Sequence, residues 1–377
     1  MQAPLYEQIY GFVHEQITSG QLKAGERVPS EKELAEQFNV SRITTKKALE
    51  GLAQEGLITR MRGKGSFVSD HAGSVTAIPS LKPPTADSEK PDLLLPVYPA
   101  RMVGVLLPDI SESYGLRLFR SIEEKLSELG CHLVIRLTYD KQAEEEKAIQ
   151  SLIKSGVDGL IVFPVHGEHY STELLRLVVD GFPLVLIDRY MRGIPAYSVH
   201  TDNEKACEEL TDYLIDKGHR EVALLSTPAE NTTTLEDRLK GFSNAFIKRG
   251  LSLNQDHFVT NLFSSLPKSF ENHNIQIDQQ LLRKYMHAHP TTTAFVACEY
   301  NLARVLKREI ELMGKRVPED YEIVCFDYLS DNFDVPQFVH IRQNEDAMGA
   351  KAVEILSSLW RGEFPLRQSV IDFSLAQ

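Results

Sequence analysis

Val28-Pro29-Ser30-Glu31-Lys32-Glu33-Leu34-Ala35-Glu36-Gln37-Phe38-Asn39-Val40-Ser41-Arg42-Ile43-Thr44-Thr45-Lys46-Lys47-Ala48-Leu49 is the stretch that decides the fold. It reads as two short helices joined by a tight turn. Ser30 followed three residues later by Glu33 is a capping box that starts the first helix. Leu34, Ala35 and Phe38 form its apolar stripe. Asn39-Val40 breaks the pattern, and Ser41 is a suitable N-cap for the second helix, which buries Ala48, Leu49, Leu52 and Ala53. The opposite face carries Arg42, Thr44, Thr45, Lys46 and Lys47. Guanidinium, hydroxyl and ammonium donors in the first turns suit a helix to the major groove of DNA. Taken alone, the same helix could be an ordinary solvated one with surface lysines.

The next residues favour the DNA reading. Leu57-Ile58-Thr59-Arg60 and Ser66-Phe67-Val68-Ser69 read as two strands around Met61-Arg62-Gly63-Lys64-Gly65, a turn with two glycines and two cations. A hairpin with a basic tip can reach phosphates or a minor groove, and glycine lets the backbone approach closely. In this order, Tyr6, Gly25-Glu26-Arg27-Val28-Pro29-Ser30-Glu31, Val40-Ser41-Arg42 and Gly63-Lys64-Gly65-Ser66-Phe67-Val68 resemble the winged helix-turn-helix of the GntR family of bacterial transcription regulators. The resemblance implies an α+β DNA-binding domain over residues 1–70. It adds Tyr6, Arg27 and Ser41 to the contacts expected from Glu31, Arg42, Thr44, Thr45, Lys46, Lys47, Arg62, Gly63, Lys64 and Gly65. Arg42 is expected on a base edge. Glu31 is expected either to accept from a cytosine amino group or to cap its helix.

A chain of 377 residues with 42% hydrophobic residues has room for two or three domains with sizeable cores. The net charge of −12 argues against a protein generally coated in nucleic acid. Residues 1–70 hold nine Lys+Arg and nine Asp+Glu, so the basic character is local to the second helix and the hairpin. Cys131, Cys207, Cys298 and Cys325 form no CxxC pair and read as buried thiols, which points to neither metal nor disulfide. The N-terminus shows no charged segment followed by an apolar one, and no run is long enough for a bilayer, so the expected location is the cytoplasm with no membrane partner.

Leu5, Ile9, Phe12, Val13 and Ile17 mark a first helix that ends near Gly20. Prolines 79, 83, 84, 91, 96 and 99 crowd residues 71–100, which read as a linker. From Arg101 onward, apolar strands alternate with helices, the pattern of parallel sheets covered on both faces, and the run is long enough for two lobes. Strands are expected at 102–108, 131–136, 158–164, 183–189, 222–226, 257–259, 293–297, 322–326 and 339–342. A long loop is expected over 262–276.

In such sheets, ligands lie beyond the carboxyl ends of the strands. Asp188-Arg189, Glu299-Tyr300 and Asp327 stand at such ends. Carboxylates accept from vicinal hydroxyls, arginine donates along a planar fork, and Tyr114, Tyr190 or Phe326 could cover a sugar's C–H face. Each residue alone could equally be a cap or a surface ion pair. Gly156-Val157-Asp158-Gly159-Leu160-Ile161, Pro183-Leu184-Val185-Leu186-Ile187-Asp188-Arg189, His200-Thr201-Asp202-Asn203, Gly218-His219-Arg220, Asp237-Arg238-Leu239-Lys240-Gly241-Phe242 and Val324-Cys325-Phe326-Asp327 resemble the periplasmic-binding-protein-like core of LacI-family repressors. A GntR-type reader joined to this core is the design of the arabinose-repressor subgroup. The resemblance implies a two-lobed α/β effector and dimerisation domain over 101–377. It further implies a repressor of operator DNA released by a small neutral sugar, arabinose first, and a homodimer needing no cofactor or metal. It puts effector contacts at Asp188, Arg189, Arg238, Asp327 and Gln343. Glu299 and Tyr300 fall where the family often has an Asn-Asp pair, a departure that leaves the choice of aldose open and favours a neutral polyol. Ser111, Glu112, His166 and Glu168 lie on loops of the first lobe near the cleft. Lys268 lies in a loop with no phosphate-cradling glycine pattern.

The competing reading is a sugar-processing enzyme that uses Asp188, Glu299 and Asp327 as a glycosidase would. The sequence has no nucleophile elbow, P-loop, HExxH or dinucleotide fingerprint to support it. A solute-binding transport protein would not carry a DNA reader.

Overall fold

The computed structural model describes residues 5–23, 25–38, 40, 42–54, 57–61, 65–69, 100–165, 170–329 and 336–376. They fall into two units, one N-terminal and one C-terminal, and each is described by itself. The linker expected over 71–100 lies, except for Ala100, outside the described residues.

The N-terminal unit contains α1 (Leu5–Thr18), α2 (Glu31–Phe38), α3 (Arg42–Gln54) and the antiparallel pair β1 (Ile58–Met61) and β2 (Gly65–Val68). Ile9, Val13 and Ile17 of α1 meet Leu34 of α2, Ala48, Leu49 and Leu52 of α3, and Ile58 and Val68 of the hairpin in one core. The capping box forms as expected: the Ser30 amide donates to Glu33 Oε2 at 2.7 Å, and the Glu33 amide donates to Ser30 Oγ at 3.3 Å. The stretch before α2 pairs with the hairpin, with Arg27 bridged to Phe67.

In the C-terminal unit, β3 (Met102–Leu107), α4 (Leu116–Glu128), β4 (His132–Leu137), α5 (Gln142–Lys154), β5 (Gly159–Val162), α6 (Thr172–Val179), β6 (Leu184–Ile187) and β7 (Tyr197–Thr201) build a first lobe. The chain then crosses to a second lobe. This contains α7 (Asn203–Asp216), β8 (Val222–Leu225), α8 (Thr233–Lys248), β9 (Phe258–Val259), α9 (Asn272–Ala288), β10 (Ala294–Ala297), α10 (Tyr300–Leu312), β11 (Glu322–Phe326) and β12 (Val339–Gln343). Helix α11 (Glu345–Trp360) returns to pack on α4 of the first lobe, with Gly349 at the crossing. A Cβ there would stand 2.8 Å from the Ser121 Cβ. Strand β13 (Gln368–Ile371) joins the first sheet beside β7, and β14 (Phe373–Ala376) joins the second beside β12.

Among the described residues the sheet orders are β13-β7-β6-β5-β3-β4 and β14-β12-β11-β10-β8-β9. The two lobes therefore repeat one winding, and among the described residues of this unit only the β12–β14 pair is antiparallel. The chain passes between lobes three times among the described residues, through Asp202, Asn344 and Asp372, each a single residue between elements. Asp202 caps α7 by accepting from the Lys205 amide, and Asn344 caps α11 by accepting from the Ala347 amide.

Several expectations need correction. Helix α9 begins at Asn272, inside the loop expected over 262–276. Strands β7, β13 and β14 carry polar residues, so they lack the apolar run that marks the others. Cys131 is only half-buried, because it sits in the turn before β4, whereas the other three thiols are buried. No helix among the described residues is long and apolar enough to cross a membrane.

Candidate functional site

A cavity of about 420 Å³ opens between the lobes of the C-terminal unit. Its walls come from the carboxyl ends of strands in both sheets, where a doubly wound architecture leaves room for a ligand. Asp188 follows β6 and Asp327 follows β11, the fourth strand of each lobe in chain order. Both aspartates hold left-handed backbone, at φ 67° and 66°. Each is fixed by the same bond to the neighbouring strand: the Asp188 amide donates to the Val199 carbonyl at 2.8 Å, and the Asp327 amide to the Ile341 carbonyl at 3.0 Å. Non-glycine residues at positive φ are uncommon and concentrate at functional sites. Here the conformation turns two carboxylates, one per lobe, towards the same space.

On the first lobe, the Tyr114 hydroxyl donates to Asp188. Burial, reinforced by Asp188, pushes the Tyr114 phenol well above its usual range, so it keeps its proton and remains a donor. Arg189 donates from Nη1 to Asp140 at 3.0 Å and to the Pro164 carbonyl at 2.9 Å, with its guanidinium over the Phe163 ring. Its Nε is buried without a hydrogen-bond partner among the described residues.

On the second lobe, Arg238 of α8 is buried. Its Nε donates to Asn203 at 2.8 Å, its Nη1 donates to the Cys298 carbonyl, and its plane lies 3.7 Å from the Phe326 ring centroid. Gln343, at the end of β12, donates to Asp327 at 2.9 Å and leaves its own Oε1 buried and unpartnered among the described residues. Burial pushes the Asp327 carboxyl up to about 7, against the pull of Arg238 and Gln343. Glu299 precedes α10 and accepts from Thr227 at 3.1 Å; burial raises its pKa too, opposed by Ser265, Arg238 and Thr227. Such a set offers donors and acceptors in alternation, as adjacent hydroxyl groups require.

Tyr114, Asp188, Arg189, Arg238, Glu299, Tyr300, Asp327 and Gln343 thus share one cavity, although Tyr300 is largely committed to the core beside Phe338. His166 and Glu168 lie outside the described residues. Ser111 lines the cavity, whereas Glu112 is exposed. Tyr190 does not line it: its hydroxyl donates to Asp237 at 2.9 Å and its ring packs on His200. Phe326 lies beneath Arg238 rather than in the wall. The sequence reading missed Asp140, Thr227 and Ser265, and it set Lys268 aside although that residue lines the cavity. Asp140 follows the end of β4 and was open to the strand-end rule. Lys268, on the loop after β9, crosses to the first lobe and rests its ammonium 3.2 Å from the Tyr139 ring centroid. No sequence pattern marks that contact. No group of three His, Cys, Asp or Glu residues among the described ones is arranged to hold a metal ion.

In the N-terminal unit, Arg27 is exposed and its side chain runs along Gly65, at the turn end of the hairpin. A Cβ on Gly65 would stand 3.1 Å from Arg27 Nε, and its φ of 107° also favours glycine. Thr44 is half-buried on α3. Thr45 is corrected: it is fully buried, one turn before Ala48 and Leu49 on the core stripe, and cannot touch DNA without unfolding the helix. The side chains of Tyr6, Glu31, Arg42, Lys46 and Lys47, and all of Ser41, Arg62, Gly63 and Lys64, lie outside the described residues.

Comparison with known proteins agrees with both halves. Residues 5–68 match bacterial regulatory proteins of the gntR family. Residues 100–358 match the periplasmic binding proteins and sugar binding domain of the LacI family. The chain is 28% identical over 358 residues to an arabinose metabolism transcriptional repressor of Halalkalibacterium halodurans, covering 93% of this chain and 88% of that protein. It is 28% identical over 257 residues to a ribose operon repressor of the same organism, covering 68% and 71%. Among solved structures, a LacI family regulator from Enterococcus faecium with bound ribose superposes with a TM-score of 0.60 at 22% identity, covering 74% of this chain and 97% of that one. The chain therefore belongs to the family of periplasmic binding proteins and LacI-type sugar-binding domains, and carries ahead of that domain a DNA reader of the gntR family of bacterial regulators.

Proposed function

We propose that this chain is a cytoplasmic transcriptional repressor, and not an enzyme, that binds operator DNA as a homodimer and is released by a small neutral sugar. In this reading residues 1–70 read DNA, 71–100 tether, and 101–377 bind the sugar and dimerise. Tyr114, Asp188, Arg189, Arg238, Glu299, Asp327 and Gln343 contact the effector. The observation that carries the reading is the facing pair of left-handed aspartates, Asp188 and Asp327, with an open donor at Arg189 Nε and an open acceptor at Gln343 Oε1. Arabinose is the first choice of effector, since relatives spanning nearly the whole chain are named for arabinose metabolism. Ribose is the second.

On the DNA side, Arg42 reads a base edge, while Arg27, Thr44, Lys46, Lys47 and the hairpin tip at Arg62–Gly65 hold phosphates or neighbouring bases. Sugar can shift the operator equilibrium only by binding one lobe arrangement better than the other, and operator must then weaken sugar binding by the same factor. Calorimetric titration of the full chain with arabinose, ribose and glucose, followed by operator affinity with and without the binding sugar, tests this. A protein that binds a sugar unchanged and loses operator affinity supports the reading; one that converts the sugar, or ignores every aldose, overturns it.

A further inference from the structure

The loop between β9 and α9 belongs to the second lobe, and its residues Ser265, Leu266, Pro267, Lys268 and Phe270 line the cavity between the lobes. Asp278 of α9, fully buried, pins the start of this loop. The Phe263 amide donates to its carboxylate at 3.1 Å and the Ser264 amide at 2.7 Å. Further on, Asn274 Nδ2 donates to the Ser269 carbonyl at 2.9 Å. Between these anchors Lys268 is exposed although it lines the cavity, so it stands at the rim.

Facing it on the first lobe is the turn Tyr139-Asp140, just beyond β4. The Tyr139 amide donates to the Pro108 carbonyl at 2.9 Å, which ties the turn to the end of β3. Asp140 lines the cavity and accepts from Arg189 at 3.0 Å, while the Tyr139 ring takes the Lys268 ammonium at 3.2 Å. A cation over a phenol ring is held by the ring's negative face. One turn therefore joins a cavity arginine to a loop of the other lobe. The backbone marks the same place. Among the described residues, six non-glycine residues have positive φ; Asp140, Asp188, Lys268 and Asp327 line the cavity, and Tyr139 adjoins it. Such conformations persist only where surrounding contacts hold them, and they gather at clamps and switches. Lys268 at φ 59° and Tyr139 at φ 51° meet each other across the cleft. A lysine resting by chance on a tyrosine would need neither strained residue.

We propose that the loop over residues 263–271 is a lid on the cavity and that Lys268 on Tyr139 is its clasp, a positioning contact that must open for a sugar to enter or leave. The part concerning sugar rests on the reading of the cavity given above. Arg192, paired with Glu236 at 2.6 Å and Asp237 at 2.9 Å, also joins the lobes, so opening the clasp frees the lid without parting them.

The test uses the full chain. Without sugar, hydrogen exchange of the amides in 263–271 should quicken about 2–5-fold in Lys268→Met, and by the same factor in Tyr139→Leu, which alters only the other lobe. The double variant should exchange no faster than either single one. Lys268→Arg, which keeps a cation on the ring, should match wild type. Unchanged loop exchange in Tyr139→Leu, or effects that add in the double variant, overturns the clasp. With arabinose, stopped-flow mixing should show association and dissociation both quickened about 2–5-fold in each single variant, with affinity nearly unchanged, since a gate acts equally on entry and exit. Unchanged rates overturn the lid. Faster dissociation alone in Lys268→Met, with weaker binding, would mean that Lys268 touches the sugar, and also overturns it. A chain that shows the exchange pattern but binds no arabinose, ribose or glucose would keep the clasp and sink the sugar reading of the cavity.

Discussion

Asp327→Asn removes a charge while preserving shape, and its effect on stability has a calculable sign. Burial raises the Asp327 carboxyl from an ordinary 3.8 to about 7. A carboxyl raised in the folded state leaves stability intact at low pH. Stability then falls as pH climbs from about 4 towards 7, and stays lowered above that. A shift of about three units corresponds to roughly 4 kcal/mol of lost stability at pH 8 if nothing relaxes, of which roughly 2–3 kcal/mol accrues between pH 5 and pH 8. The asparagine variant escapes that loss. At about 2–4 °C per kcal/mol, its melting midpoint relative to wild type should rise by roughly 5–10 °C between those two pH values. Scanning calorimetry of both ligand-free proteins at pH 5 and pH 8 measures it. Burial also raises Glu145, Glu299 and Glu345, but these are common to both proteins and largely cancel in the difference. Sugar affinity should move the other way, weakening about 10–100-fold at pH 8 as a charged acceptor is lost. A stability difference that is the same at pH 5 and pH 8 would refute the assignment of Asp327 as the buried acid.

Sugar binding in wild type should release a fraction of a proton near pH 7, because hydroxyl donors favour the ionised Asp327; titration in two buffers of different ionisation enthalpy reads it, and Asp327→Asn should abolish it. Tyr114→Phe removes the donor to Asp188 and should weaken sugar binding by about tenfold, leaving operator affinity without sugar unchanged in a gel-shift assay. Arg42→Ala should cost roughly 1–3 kcal/mol on the specific operator and relax preference at one base pair; equal losses on specific and random DNA would count against base reading. Lys64→Ala should lower the slope of log affinity against log salt by about one, without altering sequence preference.

The alternation of apolar runs with helices made the two-lobed sheet readable, because buried parallel strands must be apolar on both faces. The strand-end rule found both aspartates and Glu299, since residues there face the cleft whatever their partners. Their left-handed backbone was not readable, because aspartate at a strand end is equally at home in an extended turn. The rule also gave no warning that Tyr190 would turn to Asp237, since a tyrosine one residue beyond Arg189 has two polar directions open to it. Lys268 reaches Tyr139 across the cleft from the loop between β9 and α9, a long-range contact that no local residue pattern marks. Thr45 was misread because a small hydroxyl residue fits a core stripe and a DNA-facing surface equally well, and helical spacing from Ala48 and Leu49 was the better guide.

The three one-residue crossings at Asp202, Asn344 and Asp372 give the C-terminal unit a mechanical character. Three short covalent pivots without slack allow the lobes to swivel but not to slide apart. An extra residue at one pivot would leave the other two at their original length, so the lobes could no longer meet squarely at Asp188 and Asp327. Natural variation in length should therefore be excluded at these three positions, however polar and exposed they look in the sequence.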